Sequence, residues 1–186
     1  MGTRFLASAA MTSLLLATIA APTPAAAQTA AQHTALASDS NFIQTAMSLG
    51  LLEVKLAQQA QAEGTSEVVR EFGKRMLIDY TTLNAQLQAG AKQAAYPHPV
   101  VLRPHQKVLD RFNYMGRSHF DKEYMTEAVT QHDELVRLVQ QEAKDGRVAL
   151  LKQLAANLLP DLQQNQARAH QAAVSVGAEF TASAAR

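Results

Sequence analysis

The chain lacks cysteine and tryptophan, and its charges nearly cancel. Without Cys, the 186 residues cannot form disulfides, thiolate nucleophiles, iron–sulfur clusters or a lipid-modified cysteine. Seventeen Lys and Arg stand against sixteen Asp and Glu, so the net charge of +1 provides no field that would concentrate nucleic acid or anionic lipid. The composition therefore predicts one domain, stabilised by a packed apolar core, whose partners do not include nucleic acid.

The N-terminus has the pattern of an export signal. An apolar run from Phe5 to about Ala21 is followed by three alanines, residues 25–27, which are small enough for signal peptidase. The run is too short to span a membrane comfortably, and no transmembrane segment is expected after cleavage. We predict a signal peptide over 1–27, a flexible leader over 28–38, a folded domain over 39–177 and a C-terminal tail over 178–186. Such a chain is expected in the periplasm or associated with the outer membrane.

The rest of the chain predicts an all-α domain, because Ala, Leu, Gln, Glu and Lys dominate and hairpin signals are scarce. Four long helices are predicted: 41–62 with Asp39 or Ser40 as cap, 65–92 opening at Thr65 or Ser66, 118–144 with Asp121 completing a capping pattern, and 145–176 interrupted or kinked at Pro160. A proline-containing connector over 93–115 is predicted to hold a short extra helix. Its His98 and His105 lie beside prolines and are expected in solvated loops.

Each predicted long helix has one polar residue in its apolar seam. These residues are Glu53, Asp79, His132 and Asn165. An unpaired buried carboxylate is costly, so such groups need hydrogen-bond partners, water or a cation. Facing helices of a bundle build metal sites from inward Glu, Asp and His side chains, and Glu53, Asp79 and His132 form a candidate set for iron, manganese or zinc. The other interpretation is a metal-free polar core in which Tyr80 and Asn165 are the partners.

Known catalytic motifs give no support for a reaction. The chain has no nucleophile elbow, phosphate loop, dinucleotide fingerprint or His-Glu-x-x-His pattern. A Glu-x-x-His pair, which a full di-iron bundle site requires, is also missing, because Val129 stands three residues before His132. The sequence therefore favours a function without catalysis.

A family resemblance is carried by four groups of residues. They are Phe42 and Ala46 leading to Glu53, Met76 with Asp79, Phe120-Asp121 with Tyr124 and His132, and Leu159-Pro160. With these, the chain resembles a family of bacterial exported proteins of unknown function, often labelled predicted outer membrane proteins, whose domain is ferritin-like. The family usually has histidines where this chain has Tyr80 and Asn165. The resemblance implies a ferritin-like four-helix bundle, with the short extra helix between helices two and three, and it implies no settled activity.

We therefore expect an exported structural, stress-related or partner-binding protein whose polar core is a degenerate ferritin-like site. Its partner would be another protein or a second copy of the chain. The alternative is a metal-dependent oxidoreductase or metal-storage protein that uses Glu53, Asp79 and His132.

Overall fold

The structure of the protein is a computed structural model that describes residues 24–96 and 100–180. These residues form five helices, which are α1 (Pro24–Glu63), α2 (Glu67–Gln93), α3 (Arg103–Asn113), α4 (Arg117–Asp145) and α5 (Ala149–Ser175). No strand occurs in the described parts of the chain, which confirms the predicted all-α class, and α3 is the predicted short helix of the connector. The predicted signal run and His98 lie outside the described residues.

The four long helices form two hairpins that pack on each other. α1 packs on α2, α4 packs on α5, and the hairpins meet where α1 contacts α4 and α2 contacts α5. The guanidinium of Arg117, at the start of α4, donates to Glu63, at the end of α1, over 2.8 Å. Asp39 of α1 meets Arg147, just before α5. Hence α1 and α5 run in one direction, α2 and α4 run in the other, and the long connection carries α3 back along α1.

One apolar core runs through the bundle. Its largest fully buried side chains are Tyr80, Tyr124, Phe42, Phe120, Ile43, Leu49, Leu52, Leu56, Met76, Leu87, Met125 and Leu135. α1 and α2 approach closely at Gly73, where an added Cβ would lie 2.7 Å from the Cβ of Ala60. This close contact requires glycine at that position, since real Cβ atoms do not approach so closely. No helix in the described part of the chain is long and apolar enough to cross a membrane.

α1 begins earlier than predicted, so Asp39 is not its cap. The segment before Asp39 contains no helix breaker, its Ala and Gln residues favour helix, and a proline is tolerated in the first turn. The buried carboxylate of Asp39 instead accepts hydrogen bonds from the backbone N–H groups of Arg147, at 3.1 Å, and Val148, at 2.6 Å. Asp39 therefore caps the start of α5, 108 residues further along the chain.

Asp121 also has a different partner from the one predicted. Because α4 already starts at Arg117, Asp121 lies beyond its first turn. Its carboxylate accepts from the backbone N–H and hydroxyl of Thr65 and from the N–H of Ser66, at 2.6–2.9 Å. It thus holds the turn between α1 and α2. Ser66 is the N-cap of α2, as predicted, and its hydroxyl accepts from the N–H of Val68.

α5 remains one continuous helix through Pro160, which lies on its exposed face. The carbonyl that loses its hydrogen bond to a proline can be hydrated there. The helix is followed by Gly177 with a positive φ of 63°, the usual left-handed stop. Beyond it, the hydroxyl of Thr126 donates to the carbonyl of Glu179 at 2.9 Å, and Phe180 packs edge-on against His170. The packed part of the chain therefore reaches Phe180.

Candidate functional site

The polar centre of the bundle is the pair Glu53 and His132. Glu53 comes from the α1 seam and His132 from the α4 seam, and both side chains are at most 1% exposed. Glu53 Oε1 lies 3.8 Å from His132 Nδ1. The two residues that the seam spacing predicts to face the interior are therefore brought together.

A backbone contact fixes the proton on the His132 ring. Nδ1 lies 2.7 Å from the carbonyl oxygen of Ala128, one turn earlier in α4. A carbonyl only accepts, so Nδ1 must carry a hydrogen and donate it. Burial lowers the pKa of His132 to about 4, although this hydrogen bond acts in the other direction. The ring is therefore neutral at pH 7, and Nε2 has a free lone pair.

Glu53 is a buried carboxyl group without a hydrogen-bond partner. Neither of its oxygens has a partner among the described residues. Burial, followed by the charge of Glu127, raises the pKa of Glu53 to about 8. The group is therefore protonated at pH 7, since an isolated charge in the core would be far more costly.

Two tyrosines complete the cluster. The ring of Tyr80 on α2 packs edge-on against His132, with the centroids 5.4 Å apart, and Tyr124 on α4 is also fully buried. Both hydroxyls lack a partner among the described residues. Burial and then the charge of Glu53 raise the pKa of each tyrosine. The sequence indicates Tyr124 only through the family resemblance and not as a polar-core residue, although it precedes His132 by two four-residue steps on one helix.

Asp79 lies outside this cluster, contrary to its predicted seam position. Its side chain is 19% exposed and accepts from the Arg75 guanidinium at 2.8 Å. α2 presents Tyr80 to the core instead, because the inward row steps four residues from Met76 rather than three. No group of three or more His, Asp or Glu side chains in residues 24–96 and 100–180 is arranged to hold a metal ion. The set of Glu53, Asp79 and His132 stays a prediction, and only two of its members meet.

Asn165 lies in the wall of a cleft rather than beside Glu53. Its Oδ1 accepts from the Arg168 guanidinium at 2.8 Å. The cleft runs between α2 and α5, has a volume of about 160 Å³, and is lined by Asn165, Tyr80, Asp79, Arg75 and Asp161, among others. Tyr80 lines this cleft and also contacts His132, so it separates the cleft from the polar centre.

His105 is buried, which corrects its prediction as a solvated loop residue. Its Nδ1 lies 2.5 Å from the Ser48 hydroxyl, and that oxygen accepts from the N–H of Leu102 at 2.7 Å. The Ser48 hydroxyl therefore links the ring of His105 to the backbone of Leu102, and it fixes the start of α3 on α1. Burial lowers the pKa of His105. No local pattern indicates this pair, since its members are 57 residues apart.

A second buried acid lies at the end of the bundle where α5 begins. Glu142 of α4 is 3% exposed, and burial and then the charge of Asp39 raise its pKa to about 7. Lys152 opposes this shift. The Asp39 carboxylate accepts hydrogen bonds from two backbone N–H groups, whereas Oε1 of Glu142 has no partner among the described residues.

Chemically, the centre contains a neutral acid, two phenols and an imidazole with one free lone pair, all closed from solvent. Such a group can hold a proton or a small cation, but it gives a larger molecule no access.

The comparisons with known proteins give one match. A family model described as a domain of unknown function (DUF4142) matches residues 21–172. No curated protein and no solved structure matches the chain.

Proposed function

The chain belongs to the DUF4142 family, whose domain is of unknown function, and we propose that it is an exported periplasmic bundle without catalytic activity. It acts as a structural or partner-binding protein through its surface. Its polar core is a degenerate ferritin-like centre that stabilises the bundle.

The observation that carries this proposal is the closure of the polar centre. Glu53, His132, Tyr80 and Tyr124 are each at most 1% exposed, so no substrate reaches them in this conformation. Ligand pockets usually measure about 300–1,000 Å³. The cleft outside Tyr80 is smaller, at about 160 Å³. A groove of about 670 Å³ between α1 and α3 is lined by Gln, Asn, Lys, Glu and apolar side chains, and none of the four core residues lies in it.

Two features support the ferritin-like part of the proposal. The helix directions place α1 and α5 against α2 and α4, with one long crossover between the hairpins, and one long crossover is characteristic of ferritin-like bundles. Glu53 and His132 also lie where such bundles place inward ligands. The chain has Tyr80 and Asn165 at two positions where the family that it resembles usually has histidine. Their side chains bind metals less well than imidazole does.

Fractionation of cells that express the full chain tests export. We expect the protein in the periplasm, with a mass that corresponds to an N-terminus at Gln28. The matched control is Ala27→Tyr, which puts a large side chain next to the predicted cleavage site and should leave the chain unprocessed. An unprocessed wild-type chain in the cytoplasm would contradict the proposal.

Complementation of a deletion strain tests the non-catalytic role. Glu53→Gln keeps the size of the side chain and removes only its ionisation, so it should restore the wild-type phenotype at equal protein levels. Failure of this variant to complement, with an unchanged melting temperature, would indicate that Glu53 takes part in a reaction.

A further inference from the structure

His132 and Met76 present two lone pairs to each other in the bundle core. Nε2 of His132 lies 3.3 Å from the sulfur of Met76, and neither side chain is more than 1% exposed. Because Nδ1 carries the ring hydrogen, Nε2 is bare, and a thioether sulfur has no hydrogen to offer. Two acceptors in contact leave a place for a positive charge.

A proton is the first candidate for this place. An imidazolium could donate from both nitrogens, to Ala128 and to Met76. It would need Glu53 as its counter-ion, and Glu53 lies 3.8 Å away on the Nδ1 side, where the hydrogen is already donated. Burial works against both charges of this pair, and its cost is repaid only by good geometry. Glu53 and His132 therefore both stay neutral, and no proton lies between Nε2 of His132 and the sulfur of Met76.

We propose that His132 Nε2 and Met76 Sδ are ligands of a monovalent copper ion, Cu(I). Thioether sulfur is a soft ligand that selects Cu(I), and imidazole also binds copper. With bonds of about 2.0 Å to nitrogen and about 2.3 Å to sulfur, as for zinc, a separation of 3.3 Å corresponds to an angle of roughly 100° at the ion. The separation of the two atoms therefore suits one shared cation.

The surroundings of the two ligands have the features of a metal site. A ligating histidine usually donates its other N–H to a carbonyl or carboxylate, and His132 donates to Ala128. Glu53 lies in the same closed cluster, and neither of its oxygens has a partner among the described residues. Tyr80 separates His132 from the cleft between α2 and α5, so a movement of its ring would open a path for an ion.

This proposal goes beyond the proposed function and does not depend on export or on a partner. Its test is an anaerobic titration of the untagged mature protein with Cu(I) against bathocuproine disulfonate, followed by NMR of ¹³C-methyl methionine. We expect one Cu(I) per chain and a shift of the Met76 methyl resonance. Met76→Leu should weaken binding roughly tenfold or more, because even outer partners of metal ligands contribute that much.

Met125→Leu is the matched control, since Met125 is also fully buried, and this variant should bind like the wild type. The ion is offered both to the folded protein and during refolding from urea, so that slow access cannot hide the site. Absence of binding by both routes would overturn the proposal. Binding that leaves the Met76 resonance unmoved would do the same, and this second readout uses the wild-type chain, so it holds even if Met76→Leu does not fold.

Discussion

At the scale of single residues, Glu53 and His132 make stability depend on pH in opposite directions. The pKa of Glu53 rises from 4.5 to about 8 on folding, so between these values the unfolded chain has lost a proton that the folded chain keeps. The free energy of unfolding falls with rising pH in that window. The pKa of His132 falls from 6.5 to about 4, and the free energy of unfolding rises with pH between these values. Up to pH 6.5, the two residues have opposite effects on the free energy of unfolding. Above pH 6.5, only the effect of Glu53 remains.

Glu53→Gln should therefore remove a loss of stability above pH 6.5. One pKa unit corresponds to about 1.4 kcal/mol. We therefore expect the free energy of unfolding of the variant to rise by about 2 kcal/mol relative to that of the wild type between pH 6.5 and 8. Urea unfolding of both proteins at the two pH values measures this difference. Glu142 titrates in both proteins, so its contribution to the difference between them cancels. A pH-independent difference would mean that Glu53 is already ionised in the folded protein.

Ser48→Ala tests the buried pair on α3. The change leaves the N–H of Leu102 and Nδ1 of His105 without their partner, so it should lower the free energy of unfolding by about 1–3 kcal/mol. Chemical denaturation measures the loss. Ser175→Ala serves as the control, because that exposed hydroxyl only donates to a carbonyl of its own helix. Equal stability of the two variants would rule out the structural role of Ser48.

The sequence predicts half of this site for a clear reason. Glu53 and His132 continue apolar rows whose spacing is unambiguous. At α2 the row can step three residues to Asp79 or four to Tyr80, since a helix has 3.6 residues per turn. Packing of the Tyr80 ring against His132 decides between the two, and only the folded structure contains that information.

At the scale of helices and turns, the caps are supplied by distant parts of the chain. Asp39 on α1 holds the start of α5, and Asp121 on α4 holds the turn before α2. A local pattern can indicate a capping residue near a helix end, but it cannot say which helix that residue serves. The start of α2 was predictable because Ser66 caps its own helix. The start of α1 was not, because no breaker separates residues 24–38 from the rest of the helix.

Asp39→Ala should destabilise the start of α5. It removes a carboxylate acceptor from two partly buried N–H groups, and we expect a loss of about 2–3 kcal/mol in the free energy of unfolding. Hydrogen exchange should show faster exchange of the amides of Arg147 and Val148. Asp145→Ala, at an exposed position at the end of α4, should change neither quantity. Unchanged protection of both amides in Asp39→Ala would contradict the capping role.

At the scale of the whole molecule, the all-α class followed from composition and seam spacing, but the arrangement of the helices did not. The contacts that set the helix directions join residues 54 to 109 positions apart, such as Glu63 with Arg117 and Asp39 with Val148. The C-terminal limit is also set by such contacts. The predicted domain ends at 177, yet Glu179 and Phe180 contact α4 and α5.

Truncation of both ends should locate the limits of the stable unit. We expect a chain of residues 38–180 to melt at the same temperature as 28–186, because Asp39 and Phe42 are the first buried side chains among those described. A chain of residues 38–177 should lose about 1 kcal/mol in the free energy of unfolding, because the edge contact of Phe180 with His170 disappears. Such aromatic pairs contribute about 0.5–1.5 kcal/mol. Phe180→Ala in 28–186 should reproduce most of that loss. A lower melting temperature for 38–180 would instead show that residues 28–37 add packing energy, and the leader would then belong to the folded domain.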